Sequence, residues 1–220
     1  MTFPSEHILT IFLKYPEPGR VKTRLAASVG VDQAASLYRQ MVEQVATQTK
    51  SQTYQQVFVI DPPHRKPDFQ AWLGSENRFE PQIPGTPDQK LGQKLAHAFS
   101  VHFKQGAKSV IAIGSDCVDL DHNDIETAFQ QLSKTDAVLG PTLDGGYYLI
   151  GFHQNVYHTL NQDLMSLFDD IAWSTPQVYL QTCTRLEQHQ INASILPMKQ
   201  DIDTVEDLAT WKPFKSEQLI

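Results

Sequence analysis

Four cationic side chains, Lys14, Arg20, Lys22 and Arg24, fall within positions 14–24 of a chain whose formal charge is −7. They surround Gly19 and directly follow an apolar, β-rich run over 8–13. A strand, a Gly-containing loop, clustered cations and a helix start together make a grip for phosphates. The strand fixes the loop, Gly19 lets backbone approach a ligand, and the helix N-terminus adds N–H groups and a positive dipole end. Lys14, Gly19, Lys22, Thr23 and Arg24, with Ser115 farther along, are the candidate nucleotide-binding residues. A P-loop NTPase is excluded, because its Gly directly precedes the Lys and Val21 holds that place here. The competing reading is a solvated basic turn with Thr23 as a helix cap. Position after the first strand and the density of donors favour phosphate.

Three acidic patches could complete such a site. Asp116 stands just past the apolar strand 109–113. A carboxylate there suits a hard cation, Mg²⁺ or Mn²⁺, which takes oxygen ligands and bridges phosphates. Asp119 or Asp121 reads as a helix cap. Cys117 has no inferable base beside it and reads as a packed thiol. Asp144-Gly145-Gly146 suits a hairpin turn, and equally the close approach of backbone to a ligand. Asp201 or Asp203 can supply a second metal carboxylate, while Thr204 and Asp207 resemble a capping box. Trp173-Ser174-Thr175-Pro176 predicts a helix start with Pro at its first position, and Trp173 is a candidate for lining the site. The histidine pairs 97/102 and 153/158 are five apart, which does not place them on one helical face. No G-x-S-x-G elbow occurs.

These residues need elements to position them, and the hydrophobic pattern supplies an alternation of strands and helices. Strands are expected over 8–13, 57–60, 109–113, 137–139, 147–152 and 191–196. Helices are expected over 22–28, from an Asp32 cap to about Thr49, and over 68–73, 90–103, 122–132 and 204–211, with a loop at 75–88. The pattern implies a three-layer α/β/α sandwich with a mostly parallel central sheet. Ligands then sit at the carboxyl ends of strands, so the loops 14–24, 114–119 and 140–146 should gather at one rim. With no linker or repeat, the 220 residues are expected to form one domain, 1–220. The acidic balance of 18 basic against 25 acidic residues argues against broad binding to nucleic acid or anionic membrane. The apolar runs are strand-sized, residues 1–7 carry no signal-peptide pattern, and two cysteines are too few for a disulfide framework. A cytoplasmic protein is the expectation.

Five segments carry a family resemblance: Lys14-x-Pro16-x-x-Gly19-x-x-Lys22-Thr23-Arg24-Leu25, Gly114-Ser115-Asp116-Cys117, Gly140-Pro-x-x-Asp144-Gly-Gly-Tyr-Tyr-Leu-Ile-Gly151, Trp173-Ser-Thr175, and Asp201-Ile-Asp203-Thr204-x-x-Asp207-Leu. In this order they resemble the bacterial family DUF2064, also called radical-SAM/selenodomain-associated transferase 1. The resemblance implies the glycosyltransferase-A fold of nucleotide-diphospho-sugar transferases. The chain is more distantly similar to 2-phospholactate guanylyltransferase and the molybdenum-cofactor guanylyltransferases. By position, it implies that Lys14, Gly19, Lys22 and Arg24 hold nucleotide phosphates and that Asp116 and Asp203 hold the metal. Asp144, Gly145 and Gly146 would face the acceptor. Two departures stand out: Val118 replaces the usual Pro, and Lys90-Leu91-Gly92 replaces Asp-Leu-Gly. The glycosyltransferase D-x-D pattern is not met at Asp116 and Asp119; Asp201 and Asp203 have the spacing but lie late.

The expected reaction is metal-dependent transfer of a glycosyl group from a nucleoside-diphosphate sugar to a small acceptor, with Asp116, Asp144 and Lys22 as catalytic residues and Asp144 as base. The alternative is nucleotidyl transfer to a phosphorylated acceptor with release of pyrophosphate, which needs no base but wants cations on the acceptor side. Few cations lie near 140–152, His153 being the nearest, which leans towards glycosyl transfer. A non-catalytic nucleotide-binding regulator ranks third. The partners are a nucleotide or nucleotide-sugar donor and a small-molecule acceptor, without nucleic acid or membrane; a homodimer is allowed.

Overall fold

The computed structural model describes residues 6–84 and 90–211. Its strands are β1 (His7–Lys14), β2 (Gln55–Asp61), β3 (Arg78–Pro81), β4 (Ser109–Ile113), β5 (Ala137–Pro141), β6 (Tyr147–His153) and β7 (Ala193–Ile195). Its helices are α1 (Thr23–Val29), α2 (Val31–Gln48), α3 (Lys66–Leu73), α4 (Lys90–Lys104), α5 (His122–Leu132), α6 (Gln154–Thr159) and α7 (Val178–Gln188).

The strands form one sheet in the order β3-β2-β1-β4-β6-β5-β7. All pairs are parallel except those of β6, which runs against β4 and β5. The reversal follows from chain length: five residues join β5 to β6, enough for a hairpin but not for a crossover. β4 and β5 are buried at every position, as strands covered on both faces must be. Alternate residues feed two cores. Leu9, Ile11, Leu13, Phe58 and Ile60 meet Val42 of α2, Phe69 of α3 and Phe129 of α5 on one face. Ile8, Val57, Val110 and Phe152 meet Phe99 of α4, Tyr157 of α6 and Leu186 of α7 on the other. The result is the expected α/β/α sandwich, and Lys14, Ile113 and Pro141 end their strands at the same edge.

Several local expectations change. Arg78–Pro81 is a strand at the sheet edge, where a loop was expected; its Arg, Glu and Pro hide it from an apolar count, and an edge tolerates Pro. The part of that loop at 85–88, and residues 1–5, lie outside the described residues. Gly30, not Asp32, precedes α2; Asp32 sits in its first turn. Of the two candidate caps for α5, Asp121 serves, in a capping box with Asp124. No helix begins at Pro176: Ser174 is left-handed, Thr175 Oγ1 accepts from Gln177 N, and α7 starts only at Val178. The helix expected over 204–211 shrinks to one 3₁₀ turn, Asp207–Ala209. No helix among the described residues is long and apolar enough to cross a membrane.

Candidate active site

β1 delivers the basic loop, and Gly19 turns it with a φ of +76°. Lys22 then takes a left-handed backbone, φ 45° and ψ 51°, as the residue before α1. That conformation is uncommon for a residue with a side chain. It accompanies a side chain sent inward: Lys22 Nζ donates to Asp116 Oδ2 at 2.8 Å and to Asp203 Oδ1 at 2.6 Å, and only 6% of the side chain is exposed. Burial disfavours the charge, but the two carboxylates outweigh it and hold the ammonium protonated, well above the usual lysine value. Arg24 approaches Asp203 Oδ2 at 3.7 Å and stays exposed. Tyr38 Oη accepts from Lys14 N at 2.9 Å and lies 3.1 Å from Ser115 Oγ, tying the end of β1 to the loop after β4.

Asp203 arrives through its own segment. Ile202 N donates to the Asp116 carbonyl, and the Asp207 carboxylate accepts from Asp203 N, Thr204 N and Thr204 Oγ1. These bonds use the Thr204–Asp207 pair to brace a loop that presents Asp203, in place of starting a long helix. Asp201, the alternative acid, is more deeply set. Its Oδ1 is buried without a hydrogen-bond partner among the described residues. Burial first, and Asp116 second, push its carboxyl well above the ordinary carboxylate range, with Lys22 opposing.

The Asp144-Gly145-Gly146 segment is both a turn and a close approach, although the approach is to the protein itself. Asp144 Oδ1 accepts from Thr142 Oγ1 at 2.6 Å and Gly146 N at 3.0 Å. Gly145 has φ +88°, and a Cβ placed there would lie 2.2 Å from the Pro176 carbonyl oxygen.

Two cavities result. The larger, about 640 Å³, runs past Lys14, Arg20, Lys22, Thr23, Arg24, Ser115, Asp116 and Asp203. That lies within the usual range for small-molecule sites. The smaller, about 210 Å³, is lined by Asp144, Asp201, Asp203 and Asp207, with Arg24. Arg24 and Asp203 belong to both. Of the candidate nucleotide-binding residues, Lys14, Lys22, Thr23, Arg24 and Ser115 line the larger cavity and Gly19 does not, while Asp144 lines the smaller. Gly145 and Gly146 hold the turn behind it. Among the described residues no three His, Cys, Asp or Glu side chains converge as a metal set. The residues nevertheless fit Mg²⁺, which commonly binds through one or two carboxylates plus substrate phosphates. Asp116 and Asp203 already converge on one cation, and Asp201 Oδ1 is buried with no hydrogen-bond partner among the described residues.

Some lining residues gave no sequence signal. Gln82 and Lys94 reach the larger cavity as single polar residues in no motif, and Ser174 reaches it from the Trp173-Ser-Thr175 segment, whose pattern signals only a helix start for that residue. Trp173 packs against Phe168 and close to Gly92. Leu91 lines the cavity; the side chain of Lys90, one of the two departures, lies outside the described residues. Val118, the other, is buried with Leu25, Met41 and Ile202. Cys117 is 2% exposed and burial raises its thiol well above the ordinary value, so it is a packed thiol.

A sheet of this order with its cavity at the strand ends is the fold of nucleotide-diphospho-sugar transferases. Within it, the chain belongs to the family described as "Uncharacterized protein conserved in bacteria (DUF2064)", whose sequence pattern matches residues 44–175. A proposed nucleotide-diphospho-sugar transferase from Desulfovibrio desulfuricans G20 is 34% identical over 97% of this chain and 90% of its own, with a TM-score of 0.85. Two more distant structures share the fold. The CMP:2-keto-3-deoxy-manno-octonic acid synthetase complexed with CTP is 14% identical over 93% of this chain and 95% of its own, TM-score 0.55. The 4-diphosphocytidyl-2C-methyl-D-erythritol synthase of Anaerococcus prevotii is 9% identical over 93% and 96%, TM-score 0.56. No curated protein matches the sequence.

Proposed function

We propose that the protein transfers a glycosyl group from a nucleoside-diphosphate sugar to a small uncharged acceptor, with Mg²⁺ or Mn²⁺. The observation that carries this reading is the charge of the smaller cavity. Four acidic side chains and one exposed guanidinium line it; Asp201 is held towards its neutral form, and the other three set a field that repels a phosphorylated acceptor and tolerates a hydroxyl. The larger cavity takes the donor. Lys14, Lys22 and Arg24 meet its phosphates, with Thr23 and the start of α1 adding donors. Asp116 and Asp203 would hold the cation, which would supply positive charge to offset that of the leaving diphosphate. Asp144 spends one oxygen on its own turn, and its other, Oδ2, takes the proton from the acceptor hydroxyl.

Nucleotidyl transfer is the second reading, favoured by one observation: Arg24 is 69% exposed on the wall between the cavities, where it suits an acceptor phosphate. A binding-only regulator has no use for paired carboxylates behind the basic loop.

A nucleotide panel in thermal-shift format, with and without Mg²⁺ or Mn²⁺ and followed by turnover, tests these readings. Ligand at a hundred times its dissociation constant stabilises by about 2.7 kcal/mol. Stabilisation by a nucleoside-diphosphate sugar with slow sugar release supports glycosyl transfer. Pyrophosphate release from a nucleoside triphosphate plus a phosphorylated acceptor supports the rival. Absence of any nucleotide shift refutes both.

A further inference from the structure

The basic loop does not point all its cations at the cavity's open space. Lys14, Arg20 and Arg24 are exposed. Lys22 is 6% exposed in its side chain and lies between two acids that come from positions 94 and 181 residues farther along the chain. Its contacts, 2.8 Å to Asp116 and 2.6 Å to Asp203, are those of a bound counter-ion; Arg24, only two residues on, stands 3.7 Å from Asp203.

We propose that Lys22 is the resident cation of the Asp116–Asp203 pair, so that a divalent ion gains the pair only when phosphates draw the ammonium away. The inference rests on the metal-and-nucleotide reading above and adds an order of binding to it. Two neighbouring carboxylates need a cation to remain ionised. An ammonium and a divalent ion cannot occupy one point between the same two oxygens. Phosphate oxygens offer Lys22 charge-assisted bonds of the kind it now receives from the acids. The two exchanges are therefore linked, and each ligand raises the affinity for the other by the same factor. Ligand-free protein binds free metal poorly, and metal enters together with nucleotide. Lys22 is on this account a positioning residue for the cation as well as a phosphate ligand.

Mn²⁺ alone, titrated into ligand-free protein and followed by loss of the free-ion electron paramagnetic resonance signal, tests this without turnover. Lys22→Gln is expected to bind Mn²⁺ at least tenfold tighter than wild type. Arg24→Gln removes the same charge from the same rim but not from between the acids, and is expected to change binding less than threefold. Adding Asp116→Asn to Lys22→Gln is expected to abolish the gain. Should Lys22→Gln fail to fold, Lys22→Asn makes the same test, because Asn tolerates left-handed backbone. Equal Mn²⁺ affinity in wild type and the Lys22 variant overturns the proposal. So does an equal gain in Arg24→Gln, which would reveal a general field and not a resident ion. The underlying reading is checked separately on wild type with nucleotide and Mn²⁺ together: no thermal stabilisation there refutes nucleotide binding, whereas stabilisation without a Lys22 effect refutes the counter-ion alone.

Discussion

Gly145→Ala separates two explanations of the glycine beside Asp144. In the structure this glycine is required by the protein's own packing. An added Cβ would sit 2.2 Å from the Pro176 carbonyl oxygen and 2.7 Å from its carbonyl carbon, at a backbone φ of +88°. Reaching an ordinary contact demands that backbone move by about an ångström, and close-packed interiors resist such shifts. The left-handed backbone alone costs about 1–2 kcal/mol for alanine. Overpacking typically adds about 1–3 kcal/mol, for a total of about 2–5 kcal/mol. The displaced residues matter for function: Ser174 lines the larger cavity, and Tyr179 N bonds to the Gly145 carbonyl. Urea denaturation should therefore show the loss, and hydrogen exchange should rise over 172–179. Gly146→Ala is the internal control. Its Cβ would meet only the Thr142 hydroxyl at 3.1 Å and Asp144 Oδ1 at 3.3 Å, so its cost should stay near about 1 kcal/mol. If Gly145→Ala keeps full stability and loses only acceptor turnover, the glycine serves ligand approach and the packing explanation is refuted.

Three further outcomes follow from named contacts. His102 has a side chain 1% exposed, with Glu80 Oε2 3.4 Å away but no hydrogen bond to Nε2 among the described residues. Burial lowers its ring to about 4 from 6.5, against the raising effect of Glu80. The unfolded chain then binds the extra proton first, so stability present above pH 6.5 is lost as pH falls towards 4, by up to about 3 kcal/mol. Denaturation of wild type against His102→Gln between pH 7.5 and 4.5 should show the two curves converging; a wild type that gains on the variant as pH falls would mean a charged His102–Glu80 pair instead. Asp116→Asn should keep the fold, since an amide oxygen still accepts from Lys22, at a cost of about 1 kcal/mol. Turnover should fall by about a thousandfold, in line with loss of an electrostatic catalytic group, and lose its metal response; near-normal kcat removes Asp116 from the site. Tyr38→Phe removes the acceptor for Lys14 N and the partner of Ser115, which should raise the donor KM while destabilising by about 1 kcal/mol. An unchanged KM would show that the basic loop holds its shape without this tie.

Local patterns carried much of the fold and the identity of the site's parts. The apolar runs at 8–13 and 109–113 are buried strands because stacking helices on both faces of a sheet demands continuous hydrophobicity there. Strand–loop–cation order put the basic loop at the edge where the larger cavity opens, since loops after parallel strands share one edge. Where short-range signals competed, they misled. Arg78–Pro81 lacks an apolar run yet pairs with β2, because an edge strand is stabilised by its neighbour's hydrogen bonds more than by its own side chains. Thr204 and Asp207 carried a helix-start signal whose hydrogen bonds went to a loop. The close neighbour of Gly145 was equally illegible, because Pro176 lies 31 positions away.

From the sequence alone came an α/β sandwich, a basic loop after its first strand, and a set of acids suited to a cation. Tertiary structure alone decided which of them meet. Lys22 read as a phosphate ligand among four similar cations, and only folding placed it 2.8 Å from Asp116 and 2.6 Å from Asp203. Residue spacing reports periodicity within one element. Contacts across 94 and 181 positions depend on strand order and on loop backbone such as the left-handed Lys22, to which no local propensity points.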